Sequence, residues 1–465
     1  MSERYAWRSG EVAVVGLGKS GEAASALLRG RGAAVYASDA SSGDAAQQGA
    51  ARLRALGLDA EAGAHDLQRI ARATLVVTSP GVPPGAPPLA AARAAGVPVV
   101  SEVELALDAM PGLRYIAVTG TNGKTTVTAL VAHLLRALGI DAEAAGNIGT
   151  PLCEIAMREH RPRWVAMELS SFQLHDMPSI DPAVGVLTNL APDHLDRYAS
   201  VEEYYADKAL LFRNASRGSR WVVNADDAAA MEMARGVAGT DYRFSSEGRL
   251  CDAFLGGKHK AQLILRDEIL MQRSELHLLG VHNVANALAA ALAVIVTDEA
   301  HESYDDRHRL AAALRTFRPL PHRLEPVGER NGVLWVNDSK ATNVASACVA
   351  VDSMTRPTVL LLGGRHKGEP YSTLAEVITT HCRHVIAYGE AGDRIVSDLR
   401  EAVGAGVQVE RVAGGFDEVL ARARAAARPG DTILLAPACS SYDMFTNYEE
   451  RGRAFAAAAR GGADR

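Results

Sequence analysis

Short apolar runs rich in β-branched residues alternate along this chain with alanine-rich stretches whose apolar positions recur at helical spacing. The clearest runs lie at 11–15, 34–38, 75–78, 115–118, 165–168, 184–188, 221–223, 333–336, 358–362, 384–388 and 432–436. Tyr115 to Val118 have the β-branched, apolar character of a buried strand. Strand and helix alternate throughout, which predicts α/β domains with largely parallel sheets. The chain has 465 residues, room for about three domains. Met110-Pro111-Gly112 and Arg318-Pro-Leu-Pro321 punctuate the pattern and divide it into 1–112, 113–318 and 319–465. The run Pro80-Gly-Val-Pro-Pro-Gly-Ala-Pro-Pro88 reads as a stiff surface loop.

The strand ends carry the chemistry. In open α/β sheets ligands bind beyond the carboxyl ends of the strands, and here those ends are polar or glycine-rich. Tyr115 to Val118 run into Thr-Gly120-Thr121-Asn122-Gly123-Lys124-Thr125-Thr126, after which Val127 to Leu138 have helical spacing. A strand, a glycine turn and a helix N-terminus make a phosphate cradle; Lys124 can reach terminal phosphates and Thr125 can ligate Mg²⁺. The full Walker pattern wants glycine where Val118 stands. A second glycine turn, Gly16-x-Gly18-x-x-Gly21, follows the first strand, and Asp39 ends the next; by spacing this is a dinucleotide fingerprint, and the same turn suits any diphosphate.

Other strand ends add charge. Glu168 stands where a Mg²⁺-ligating acid belongs. His194 lies beside Asp193 and Asp196 after another strand, and Lys208 follows on a helix. Asn283 and Asn286 share a helix face, suited to an adenine edge or to capping. In the last third, Arg323, Lys340 and Lys367 are cations at turns or strand ends, suited to a triphosphate or a carboxylate, and Asp338 suits ribose hydroxyls.

Composition narrows the classes. A formal charge of −6 gives no basic footprint for nucleic acid. Five cysteines without C-x-x-C spacing read as reduced thiols of a cytoplasmic protein. Met-Ser-Glu-Arg-Tyr-Ala-Trp-Arg at the amino end has no signal-type apolar region, and the longest apolar helix, Val284 to Val296, is too short to span a bilayer.

Taken together, these segments resemble the Mur ligase family over essentially the whole chain. Gly120 to Thr126 matches the family's ATP loop, which accounts for Val118. His282-Asn-x-x-Asn286-Ala and Asp338-Ser-Lys-Ala-Thr-Asn343 are shared ligase features. Glu168-Leu-Ser-Ser-Phe-Gln-Leu174 and Pro437-Ala-Cys-Ser-Ser-Tyr-Asp-Met-Phe445 with Arg451-Gly452 are similar to the D-glutamate-adding branch. The resemblance implies three α/β domains: a Rossmann-like UDP-sugar domain, a central P-loop ATPase-like domain with a mainly parallel sheet, and a Rossmann-like C-terminal domain. It implies a cytoplasmic, monomeric ATP-dependent ligase of peptidoglycan precursor synthesis, joining D-glutamate to UDP-N-acetylmuramoyl-L-alanine (UDP-MurNAc-L-Ala) through an acyl phosphate, with hinge closure of the third domain.

The resemblance also assigns residues. Gly120, Thr121, Asn122, Gly123, Lys124, Thr125, Thr126, Asn286, Arg323, Asp338 and Lys340 would contact ATP. Gly18, Lys19, Ser20, Asp39, Ser79, Gly81 and Asn147 would hold the UDP-sugar, and Thr342, Lys367, Ser441 and Tyr448 the glutamate. Thr125, Glu168, His194 and Lys208 would serve two Mg²⁺ ions, with Lys208 carbamylated; Lys124, His194, Lys208 and Arg323 form the catalytic set. Two departures stand out: the family often has an acid near Arg365-His366, and an Arg just after Asp39, where this chain has Ala40-Ser41. Among rivals, an NAD dehydrogenase rests on the first glycine turn alone. A sister Mur ligase carries other residues after Glu168, and a folate polyglutamate ligase shares the ATP loop but not Glu168-Leu-Ser-Ser. A non-catalytic nucleotide-sugar sensor has no need of Glu168, His194 and Lys208 together.

Overall fold

The computed structural model describes residues 5, 7–194 and 197–461; Asp196 and part of the amino end read above lie outside them. Among the described residues the strands form three sheets of five, nine and six. The first has the order Asp59–Ala62, Ala34–Asp39, Glu11–Val15, Leu75–Thr78, Val99–Ser101, all parallel. The second centres on Arg114–Thr119, flanked by Trp164–Glu168 and Val184–Leu187. Ala142–Gly146 closes one side of it, and Arg220–Asn224 and Thr240–Ser245 extend the other. The third has Thr432–Leu435 between Val333–Asn337 and Thr358–Gly363, with Cys382–Tyr388 and Gln408–Arg411 outside them.

Helical crossovers explain the parallel pairing, since a parallel neighbour cannot be reached by a tight turn. Thr240–Ser245 and Ala253–Gly256 still pair in parallel across a helix-free loop, and beyond them the pairing reverses. Ala253–Gly256, Gln262–Leu265 and Glu268–Gln272 form an antiparallel meander, joined in part by the left-handed turn residues Arg266 and Asp267 (φ 50 and 63). Glu325–Arg330 likewise pairs antiparallel with Val333–Asn337.

The chain divides into two compact units: Met1–Glu275 with Ala285–Thr316, and Leu276–Val284 with Phe317–Arg465. In the first unit, one apolar cluster runs from Trp7, Val12 and Val77 through Leu105 and Ile155 to Met167 and Trp221, so its two sheets share a core. In the second unit, separate clusters cover the two faces of the six-stranded sheet. The helix Val281–Ile295 is sheathed on all sides from Ala287 onward. No helix among the described residues is long and apolar enough to cross a membrane.

Among the acids buried beside the shared core, one has an unpartnered oxygen and a strongly raised pKa. Glu102 opens the helix Glu102–Ala109 and is 1% exposed. Its Oε1 accepts the Cys153 N–H at 2.6 Å, while Oε2 is buried without a hydrogen-bond partner. Burial pushes this carboxyl up to about 7, against the lowering effect of Cys153. A raised folded pKa means the folded state keeps a proton that the unfolded chain loses, so stability falls as pH climbs from the ordinary glutamate range through 7. Glu102→Gln keeps the acceptor and removes the charge. It should raise stability on the order of 1–3 kcal/mol near pH 8 and change little near pH 4; urea unfolding at the two pH values measures it, and equal effects at both would refute the ionisation account.

Candidate functional site

The phosphate loop is built by steric necessity. Gly120 has φ 138, and a Cβ there would lie 2.0 Å from Thr188 Oγ1. Gly123, the N-cap of Lys124–Ala137, is left-handed at φ 82, and its Cβ would meet Asn286 Oδ1 at 2.4 Å. Neighbouring strand ends hold the loop: Asn189 Oδ1 accepts the Asn122 N–H at 2.9 Å, and the Thr188 hydroxyl donates to Asn122 O at 2.6 Å. Backbone N–H groups at the start of a helix face outward under a favourable dipole, the physical requirement for anion binding.

Two lysines end on this loop. Lys124 Nζ donates to Gly120 O at 2.9 Å and to Thr121 O at 2.7 Å. Lys208 Nζ, on a residue 1% exposed, donates to the same Gly120 O at 2.7 Å. Burial, and next the Lys124 ammonium, hold the Lys208 amine well below the ordinary lysine range, with Asp193, Glu168 and Asp207 pulling the other way. Glu168 is 2% exposed; Oε1 accepts from Asn147 Nδ2 at 2.9 Å and Oε2 is buried without a partner. An orphaned carboxylate oxygen of this kind fits a cation. Among the described residues no group of three or more His, Cys, Asp and Glu forms a metal cage, so a hard cation here would draw on hydroxyl and phosphate oxygens as Mg²⁺ commonly does. His194 is half-exposed at φ 56, against the rings of Phe172 (5.6 Å) and Tyr204 (6.0 Å).

All seven residues read as UDP-sugar contacts line one cavity of about 430 Å³, with Gly16, Pro80 and Gly146. Asp39 also holds the turn itself: its Oδ2 accepts the Leu17 N–H and its Oδ1 the Ser41 N–H, each at 2.9 Å. A second cavity of about 310 Å³ shares Pro80, Gly81 and Asn147 with the first and is lined by Lys124, His194, Arg197, Tyr204 and Lys208.

In the second unit the candidate residues Asp338, Lys340, Thr342, Lys367 and Ser441 sit on loops after three strands, Tyr448 opens a helix, and Arg323 precedes a strand. Lys367 Nζ donates to Thr342 Oγ1 at 3.3 Å, and Lys340 Nζ lies 4.1 Å over the Tyr448 ring. Enclosure pushes the Asp338 carboxyl up to about 7, despite Arg323 and the Leu324 N–H. Ser441 is buried. A further cavity, lined by Arg330, Trp335, Arg424 and Ile433, lies at the opposite ends of these strands, where Arg424 Nη2 donates to Ala458 O at the close of helix Tyr448–Ala459.

Several supporting residues escaped the sequence reading. Arg451, 1% exposed, donates to Ser339 Oγ and O (both 2.9 Å), Cys439 O (3.2 Å) and Gly363 O (3.4 Å); it was visible only as part of a motif. Asp207 receives His175 Nδ1 at 2.7 Å and the Tyr198 hydroxyl at 2.9 Å, anchoring the turn that carries Lys208. Adjacency to Lys208 was its one signal.

These features define a class. Residues 10–101 match the Mur ligase MurD-like N-terminal domain, 118–294 the Mur ligase middle domain, and 322–439 the Mur ligase glutamate ligase domain. The chain belongs to the Mur ligase family. It is 39% identical over 452 residues to the UDP-N-acetylmuramoylalanine–D-glutamate ligase of Acidobacterium capsulatum, covering 96% of this chain and 95% of that one. It is 40% identical over 455 residues to the enzyme of that name from Rubrobacter xylanophilus, covering 96% and 98%. In fold it resembles the UDP-N-acetylmuramate-alanine ligase of Thermotoga maritima, with a TM-score of 0.61 at 20% identity over 97% of this chain and 100% of that one. The pseudomurein peptide ligase type C of Methanothermus fervidus gives 0.56 at 18% identity over 92% and 96%.

Because Gly123 combines a left-handed backbone with a close neighbour, Gly123→Ala should destabilise the first unit by about 1–3 kcal/mol. Denaturant unfolding reads this directly, and an unchanged midpoint would show that the loop relaxes freely.

Proposed function

We propose that this protein joins D-glutamate to UDP-MurNAc-L-Ala at the expense of ATP, acting in the cytoplasm in peptidoglycan precursor synthesis. The observation that carries the reading is the shared wall of the two cavities in the first unit. A nucleotide-sugar whose diphosphate lies on the turn at Gly18–Ser20 would extend its acyl end past Gly81 and Asn147 towards Lys124 and Lys208. The relatives named above carry this activity in their names across nearly their full length, and the five cysteines are unpaired thiols, as a cytoplasmic setting requires.

A carboxylate is a poor acyl donor because its oxide leaves badly. In the proposed reaction a carboxylate oxygen of the alanyl end attacks the γ-phosphorus of ATP and ADP departs, leaving an acyl phosphate. The glutamate amine then attacks the acyl carbon, the C–O bond to phosphate breaks, phosphate leaves and the nitrogen gives up a proton. Gly120 to Thr126 cradle the phosphates, and Lys124 turns from the loop carbonyls to screen the charge that would repel the incoming carboxylate. Asn286, Arg323, Asp338 and Lys340 are assigned to the nucleotide, and Thr342, Lys367, Ser441 and Tyr448 to the amino acid, with Lys367 on its side-chain carboxylate.

Thr125, Glu168, His194 and a carbamylated Lys208 would hold Mg²⁺, which when bound neutralises phosphate charge. Lys208 is suited to that modification: its low pKa keeps the amine nucleophilic, and the carbamate replaces a cation with oxygen ligands.

Phosphate release measured with each of ATP, Mg²⁺, UDP-MurNAc-L-Ala and D-glutamate omitted in turn should require all four; turnover without glutamate would defeat the assignment. Lys124→Ala should lower turnover about 10²–10³-fold, the usual loss of one electrostatic stabiliser. Isotopically labelled carbon dioxide should give a carbamate signal by NMR in the wild type that Lys208→Arg lacks; its absence from the wild type would remove the carbamate.

A further inference from the structure

The loop carrying Lys367 and the loop carrying Ser441 leave different strands, yet the amino-acid site as proposed above needs them at a fixed spacing. Their backbones meet at one point: Arg365 N donates to Ser440 O at 2.9 Å, and Ser440 N to Arg365 O at 3.2 Å. Beyond that point the first loop turns through Gly368 at φ 96, and Lys367 is exposed. A lysine ammonium on four rotatable bonds is only as well placed as the backbone beneath it.

Side chains continue the tie where the backbone pairing stops. His366 Nδ1 lies 2.9 Å from Tyr371 Oη, and Tyr371 Oη lies 2.9 Å from Cys439 Sγ. Tyr371 is 1% exposed and Cys439 fully buried, and Tyr371 is itself pinned by its N–H to Asp398 Oδ2 at 3.1 Å. One hydroxyl proton serves two neighbours if the thiol donates to Oη and the hydroxyl donates to Nδ1, which puts the imidazole proton on Nε2, a nitrogen buried without a hydrogen-bond partner. Burial pushes the Cys439 thiol up to about 11, so it keeps the proton it donates.

We propose that His366 and Tyr371 are positioning residues for the amino-acid substrate: the chain His366 Nδ1–Tyr371 Oη–Cys439 Sγ sets the spacing between Lys367 and Ser441, and with it the affinity for an acidic amino acid. This rests on the function proposed above. It also gives His366 a use at a place where the family often has an acid.

The test measures KM for D-glutamate, ATP and UDP-MurNAc-L-Ala separately. Tyr371→Phe removes both hydrogen bonds, and His366→Ala removes one. Each should raise KM for D-glutamate about tenfold while the other two stay within about twofold. His366→Asn, whose amide oxygen reaches the place of Nδ1, should recover most of the loss. An unchanged KM for glutamate, equal changes in all three constants, or no recovery by Asn over Ala would overturn the proposal. If Tyr371→Phe does not fold, the partly exposed His366 pair decides the matter alone. Wild-type turnover that does not need glutamate would sink the proposed function instead, so the two failures are distinguishable.

Discussion

Two lysine side chains end on one carbonyl oxygen, that of Gly120, and the chemistry of the first unit follows from the crowding. Like charges so close in a buried site cannot both be held without cost. Lys208, deep and 1% exposed, has its amine held well below the ordinary lysine range, while Lys124 starts the helix at the mouth of the loop. Thr188 and Asn189 hold the loop that presents this oxygen, and Asp207, bound to His175 and Tyr198, holds the helix that brings Lys208 to it. An anion entering the loop, as proposed for ATP, would relieve the crowding.

The second unit solves a related problem with one cation and no carboxylate among its observed partners. Arg451 spends its donors on Ser339, Gly363 and Cys439, one from each of three strand-end loops. A guanidinium suits this role because its donors lie in a rigid fork, whereas lysine would offer a single movable point. Substitution by a shorter residue would leave several buried carbonyls unpaired at once.

What was legible in the sequence has a physical boundary. Every strand read from an apolar run, from 11–15 to 432–436, is interior to its sheet, while the six edges were all missed: Asp59–Ala62, Val99–Ser101, Ala142–Gly146, Glu268–Gln272, Glu325–Arg330 and Gln408–Arg411. Five of these edges carry charge or alanine and the sixth, Val99–Ser101, is only three residues long, so they lack the signal of a long buried run; the interior strands Thr240–Ser245, Ala253–Gly256 and Gln262–Leu265, polar or short, were missed too. Many candidate site residues drew notice for the opposite reason, since a polar residue or glycine directly after a buried strand is conspicuous; Lys208 and Tyr448, on helices, were named through the family resemblance. Tyr371, Arg451 and Asp207 follow no such strand and pack beside the candidate site residues, so their contacts are ones that spacing does not encode.

The core shared by the five- and nine-stranded sheets has a consequence for inheritance. Trp7, Leu105 and Met110 pack in one cluster with Tyr115, Leu152 and Ile155, so the punctuation at Pro111 marks a change of sheet without marking a seam. A cassette exchanged at that point between two ligases would carry half of a packed interior into a foreign counterpart. An exchange at that point would therefore need matching substitutions on both sides of the shared interior, from Leu105 and Met110 to Tyr115 and Ile155.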